Sequence, residues 1–103
     1  MPLHPKKRID IVAEAPVLKR LEALLEEAGV SGYTVLPALA GRGHHGDWNR
    51  EGLAGDAGRM VAVFCIVDAA RLEAILDKLQ TVIARQMAIV AVSDVEVIRG
   101  DHF

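Results

Sequence analysis

Aromatic side chains are nearly absent from this chain: two Phe, one Tyr and one Trp, 4% of 103 residues. A core must therefore be assembled from Val, Ile, Leu and Ala. A module that stacks nucleic-acid bases on exposed rings has little to work with. The single cysteine, Cys65, excludes an intrachain disulfide and fits a reducing compartment. Charge of one sign is lacking too. Twelve Lys and Arg against 14 Asp and Glu leave a formal net charge of -2, so no strong field favours nucleic acid or an anionic membrane. No apolar stretch approaches the ~20 residues of a membrane span, and residues 1–8 lack the apolar core of a signal peptide. The expectation is a soluble cytoplasmic protein with no membrane insertion. Also missing are a Walker loop, a dinucleotide-binding glycine fingerprint, a metalloprotease helix and a cysteine pair. No nucleophile–base or carboxylate pair can be placed together, so the chain is not expected to be an enzyme. A hydrolase that binds an anion through Arg42 and His44 is the one catalytic reading left open.

What is present is a single domain's worth of chain, residues 1–103, with 51% hydrophobic and 25% charged residues. Alternation over 7–13, with Ile9, Ile11 and Ala13 on one side, predicts a half-buried strand. Pro16 opens a helix whose stripe is Val17, Leu18, Leu21, Leu24, Leu25 and Ala28, and Gly29 stops it. Tyr33, Thr34 and Val35 predict a strand over 32–39, with Pro37 on an edge or at a bulge. Six glycines break all periodicity over 41–58, which predicts a long functional or disordered loop. The run 60–67 is apolar throughout, and Asp68 is placed to cap a second helix with Leu72, Ile75, Leu76, Leu79, Val82 and Ile83 along its stripe. A last strand is read from Met87 to an end at Arg99-Gly100, with an irregularity at Ser93-Asp94.

The order β-α-β-loop-β-α-β is the ferredoxin-like βαββαβ plan, an α+β fold with an antiparallel four-stranded sheet and two helices on one face. Such a sheet should show alternating polar residues on its free face. The third strand shows none, so a second cover is expected, most simply sheet-to-sheet packing in a homo-oligomer.

Candidate chemistry concentrates in Gly41-Arg-Gly-His-His-Gly46. Glycines let the backbone approach a ligand with its N–H groups, and Arg42 offers a fork to phosphate or carboxylate. A flexible surface loop is the plain alternative. His44 and His45, with Asp47 as a third group, are candidate metal ligands or pH-responsive residues; solvated loop histidines are the alternative. Arg59 at the loop exit and Arg99 after the last strand are cations that could converge on a cleft, or else face water. Trp48 and Arg50 lie in the loop where a partner would make contact, although Trp48 could equally fold back on the body. Cys65, inside an apolar strand, reads as an inert thiol.

With that order and these loop residues, the chain resembles the PII signalling superfamily over nearly its whole length. Lys7-Arg-Ile-Asp-Ile is similar to the PII first strand, Gly29-Val-Ser-Gly-Tyr-Thr-Val35 to the passage into the second, and Gly41-Arg-Gly-His-His-Gly46 to the base of the T-loop. Val95-Glu-Val-Ile-Arg-Gly-Asp101 is similar to the end of the last strand. The closest subgroup is the carboxysome-associated PII-like proteins.

The resemblance implies a homotrimer with adenine-nucleotide sites in the clefts between subunits, and a T-loop, here 41–58, that engages a protein target. The target class is a transporter or carbon-fixation component, and the subgroup is linked to bicarbonate as well. Thr34 matches a strand residue near the adenine, Gly41 a T-loop-base glycine, and Arg99 a phosphate-binding arginine. Gly43, Arg42 and Arg59 are cleft candidates by location. The family's B-loop pattern T-G-x-x-G-D-G-K is replaced here by Ile83-Ala-Arg-Gln-Met87. The usual triphosphate cradle is missing, which favours ADP or AMP over ATP, held partly by Arg85.

The leading expectation is therefore a trimeric, non-catalytic sensor whose ligand orders the 41–58 loop. The alternative is a CutA-like divalent-metal-binding trimer, supported by His44, His45, Asp47 and Cys65. An RNA-recognition module shares the element order, but Phe64 is the only aromatic residue on its central strands.

Overall fold

The computed structural model describes residues 1–43, 46–49 and 59–103. Strand β1, His4–Glu14, is followed by a 3-10 turn over Ala15–Val17 and helix α1, Leu18–Glu27. Strand β2 spans Tyr33–Pro37, then β3, Ala40–Gly43, and β4, Gly46–Asn49. Strand β5, Met60–Val67, helix α2, Ala69–Ile83, and strand β6, Ala88–Val97, complete the domain, with a final 3-10 turn over Gly100–His102. The main sheet has the order β2-β5-β1-β6 with every pair antiparallel. This is the ferredoxin-like arrangement that the sequence predicts.

The side-chain period of two sorts β1 cleanly. Ile9, Ile11 and Ala13 are buried against both helices, while Arg8, Asp10, Val12 and Glu14 point to the other face. Val63, Cys65 and Val67 of β5 continue the buried side. Helix α1 presents Leu21, Leu24 and Leu25 to it, and α2 presents Ile75 and Leu79. Apart from the Cys65 thiol, the buried side chains of this cluster are aliphatic, and Tyr33 packs at its border.

Strand β1 starts three residues earlier than the alternation suggests, because its ladder with β6 runs on to His4 opposite Val97. Pro5 fits there, since β5 pairs with β1 only from Lys7 onward. Pro37 ends β2, an edge strand, as expected.

Three expectations need correction. First, β6 carries no irregularity at Ser93-Asp94. Its register with β1 is continuous, and Asp94 sits opposite Lys7, whose ammonium binds its carboxylate. Second, Asp68 occupies the N-cap position of α2 with extended φ and ψ, but its side chain makes no cap bond. The carboxylate accepts from Lys6 Nζ instead. Third, the glycine-rich stretch is not all loop: β3 and β4 pair antiparallel, with Gly41 opposite Trp48 and Arg42 opposite Asp47. Glycine leaves no side-chain periodicity to read, but it does not prevent backbone pairing.

Helix α1 ends in a Schellman arrangement. Gly29 has φ +74°, its N–H bonds Glu26 O at 3.0 Å, and Val30 N–H bonds Leu25 O at 3.0 Å. Arg71 of α2 donates to the carbonyls of Ala28 and Gly29, placing a cation at the negative end of α1. A Cβ at position 29 would lie 3.0 Å from the Arg71 guanidinium. Gly29→Ala should therefore lower stability by about 1–2 kcal/mol, the cost of a left-handed L residue, read as a lower urea midpoint at unchanged slope.

Candidate ligand site

Two ends of the sheet and one cavity organise the predicted residues. One end gathers Glu14, Pro37, Met60 and Ala88 with the connections that follow them. The amide of Ala15 donates to Arg59 O at 2.8 Å, and the amide of Ala38 to Met60 O at 3.1 Å. Arg59, half-buried, lies here, as do Arg85, exposed in the turn after α2, and the hairpin β3–β4. Helix α2 connects to β6 through only 84–87, with Gln86 N–H bonded to Ile83 O at 2.9 Å. That short connection holds no glycine.

Arg99, exposed, lies at the other end, beyond Val97 opposite His4. Ten residues of β1 separate the two ends, roughly 30 Å at strand rise. Within one chain, Arg59 and Arg99 do not converge. Arg42 forks onto Asp47 across the hairpin, with Nη2 to Oδ2 at 3.2 Å, in an exposed pair that contributes little stability. Gly41 and Gly43 form part of β3, paired with Trp48 and Gly46. His44, His45 and Arg50 lie outside the described residues, as does the rest of the expected loop, 51–58.

Thr34 is exposed on the helix-free face of β2, opposite Phe64. It lines a cavity of about 260 Å³ with Ser31, Gly32, Phe64, Ile66, His102 and Phe103. Sequence reasoning did not place Ser31, Ile66, His102 or Phe103 there. The final turn closes back over the start of β2, where Ser31 Oγ donates to His102 O at 3.0 Å. The only signal in the sequence was the scarcity of aromatics, which makes a Phe outside the core unusual.

Arg8 and Asp10 stand beside this cavity on the same face. Arg8 Nε and Nη2 bond the Asp10 carboxylate at 3.0–3.1 Å, and the guanidinium lies 4.1 Å from the Phe64 ring centroid. One face of Phe64 is thus occupied by Arg8, and the ring also lines the cavity. A wider groove of 750 Å³ opens near Leu3, Pro5, Val95 and the start of α2. Its two lysines are bound to Asp68 and Asp94, and none of the predicted site residues lines it.

Tyr33 points the opposite way from Thr34. Its hydroxyl proton is shared between Glu22 at 3.0 Å and Glu26 at 3.1 Å on α1. The Glu22 carboxylate, helped by desolvation and by Glu26, pushes the phenol up to about 12. Ionisation would set a phenolate against two carboxylates, so this tie holds through the ordinary tyrosine range near 10 and is lost as pH rises through about 12. Tyr33 is the only tyrosine. Absorbance titration of tyrosinate should show one midpoint near 12 in the wild type, moved back toward 10 in Glu22→Gln.

For a metal site the described residues offer no cluster of three ligating side chains. Cys65 is 2% exposed in the core, and burial, followed by Asp10, pushes its thiol up to about 11. It cannot join a metal site on the loop, and the CutA-like reading loses that support. No helix among the described residues is long and apolar enough to cross a membrane.

The chain thus has a ferredoxin-like sheet with one helix-free face and a small cavity at its edge. The family model described as nitrogen regulatory protein P-II matches residues 6–102, and the chain belongs to this family. Among curated proteins none matches. The solved structure of CPII, a nitrogen regulatory PII-like protein from Thiomonas intermedia K12 bound to ADP, AMP and bicarbonate, is 26% identical with a TM-score of 0.90. The match covers 99% of this chain and 96% of that one. CPII bound to ADP and bicarbonate is 28% identical, covering 99% and 97%, with a TM-score of 0.86. A PII-like signalling protein from Thermus thermophilus is 31% identical, covering 100% and 99%, with a TM-score of 0.83. The resemblance read from the motifs is thus supported at the level of the family; no finding bears on the carboxysome-associated subgroup.

Proposed function

We propose that this protein is a trimeric, cytoplasmic, non-catalytic sensor that binds ADP or AMP in clefts between subunits, with bicarbonate as a further ligand. The reading is carried by likeness, over 99% of the chain, to a PII-like protein solved with those three ligands. Three features of this chain support it. Leu36, Ala62, Val12 and Ile89 lie side by side in register across the helix-free face, and Leu36 and Ile89 are 47% and 62% exposed. A lone subunit leaves this band wet, whereas packing three sheets together removes it from water. The separation of Arg59 from Arg99 fits a site shared between subunits, in which one copy supplies the Arg59 end and its neighbour the Arg99 end. The short, glycine-free 84–87 connection offers no cradle for a third phosphate, which favours ADP or AMP over ATP.

The ligand-contacting residues are Thr34, Gly41, Arg42, Gly43, Arg59, Arg85 and Arg99. His44, His45, Trp48 and Arg50 belong to the loop that meets a protein target in inorganic carbon metabolism, a transporter or a carbon-fixation component related to those of carboxysomes. Ligand binding shifts that loop between two states, which requires tighter binding to one of them.

Calorimetry with ADP, AMP and ATP, with and without bicarbonate, tests this. The expected outcome is micromolar-range binding of ADP and AMP, at least tenfold weaker binding of ATP, about 1.4 kcal/mol, and a solution mass three times 11.1 kDa. No heat with any of the three at millimolar concentration removes the sensor reading.

A further inference from the structure

Two of the four aromatic residues in the chain, Phe64 and Phe103, line the same small cavity. Phe64 comes from the middle of β5, and Phe103 follows the final turn. At about 260 Å³ the space falls below the roughly 300–1,000 Å³ of a pocket that takes a whole small molecule. It suits one flat ring system and leaves the rest of a ligand outside.

One ring is held directly, and the other follows an anchored turn. The Arg8 guanidinium, clamped by Asp10, lies 4.1 Å from the centroid of Phe64 and fixes that ring from one side. Phe103 is presented by a turn that is hydrogen-bonded and packed against His4. Ser31 Oγ donates to His102 O at 3.0 Å, and His102 N–H donates to Arg99 O at 3.0 Å. Gly100 lies so close to His4 that a Cβ on it would come within 2.8 Å of the imidazole. Phe103 nevertheless remains 37% exposed, a large ring at the lip of a cavity and outside the hydrophobic core. Polar groups converge on the same space: the hydroxyls of Thr34 and Ser31, and the outer edge of β2, which has no neighbouring strand in the main sheet. Unpaired edge amides and carbonyls suit the hydrogen-bonding edge of a heterocycle.

We infer that Phe64 and Phe103 bracket the purine ring of the nucleotide, and that the turn over Gly100–His102 is a strap that sets nucleotide affinity by presenting Phe103. This rests on the nucleotide-sensor reading and assigns the base-recognising wall within it. An aromatic ring stacks on any base face, so the bracket supplies affinity for the base. The edge of β2 and the Thr34 hydroxyl supply the choice of base.

The test compares wild type with F103A, F103L and F103W in calorimetric titrations with ADP and with AMP. Proton spectra of the adenine H2 and H8 resonances are recorded in each saturated complex. F103A and F103L should each lose about 5- to 100-fold in affinity for both nucleotides, the range carried by stacking on one ring. F103W should stay close to wild type, and all variants should melt near the wild-type temperature. The adenine resonances should shift upfield in wild type and F103W, and less in F103A. Leucine fills the apolar space without offering a π face, so a purely packing role for Phe103 would spare F103L. Wild-type affinity in F103A or F103L, equal losses in F103A and F103W, or adenine shifts indifferent to residue 103 would each overturn the bracket while leaving nucleotide binding intact. Failure of the wild type to bind either nucleotide would instead remove the sensor reading, and the bracket with it.

Discussion

Val12→Asp should convert a species of three subunits into free single chains and abolish nucleotide binding, while each chain stays folded. Val12 stands at the centre of the band formed with Ala62, Ile89 and Leu36. In the proposed trimer a carboxylate there would leave water with no cation to meet it, and a buried unpaired charge costs far more than one methyl contact gains. Its neighbour at i+2 on the same face is Glu14, which adds like charge. The contrast with Arg8 and Asp10 is instructive. Those two charges share the helix-free face, but they neutralise one another through a forked contact and can be covered together. In an isolated chain position 12 is only half-buried, so the variant domain should keep its secondary structure by circular dichroism. Sedimentation equilibrium should report one chain's mass, near 11.1 kDa, in place of three. A variant that stays trimeric would mean that the helix-free face is not the interface. Clefts shared between subunits vanish with the trimer, so calorimetry on the same sample should show no binding of ADP.

How much of this was legible beforehand depends on how local each cause is. Strand β5 was readable to its end residues, because Met60–Val67 is an unbroken apolar run between Arg59 and Asp68. Ile9, Ile11 and Ala13 announced their buried face by strict alternation. Gly29 announced a helix end by the backbone freedom that its φ of +74° then uses. The misread positions share a different cause. Asp68 and Asp94 were read from their neighbours in sequence as a cap and a break. Each is instead engaged by a lysine of β1, across 62 and 87 residues of chain. No window of sequence contains those pairs. Much of the site fails to show for the same reason. Thr34 could be singled out only through family likeness, and Phe103 reaches the cavity only because the final turn closes back on Ser31, 71 residues before His102. The remoteness of Arg59 from Arg99 is a register fact, visible once β1 is paired on both sides. In the proposed reading it places the ligand between subunits.

Ile11→Ala, one residue along from Val12, should do the opposite: destabilise the domain without addressing the interface. Ile11 is 1% exposed, paired with Val63 on one side and Val90 on the other, and covered by the helices. Removing three carbons from such a site loses their transfer energy and leaves a cavity that a sheet pinned on both edges cannot collapse, at a cost of about 2–5 kcal/mol. A domain of this length has about 5–15 kcal/mol in total, so the loss should lower the melting temperature by roughly 10–30 °C. In the proposed sensor, trimer formation and ligand binding would both stabilise the folded chain by mass action, so the comparison belongs at fixed protein concentration without nucleotide. Below its melting point the variant should still sediment as a trimer and bind ADP with near wild-type affinity, because the side chains on the helix-free face are unchanged. Adjacent residues on one strand would then separate the two roles of the sheet, with odd positions of β1 holding the subunit together and even positions holding the subunits to each other. A variant that melts as wild type would contradict the packing assigned to β1.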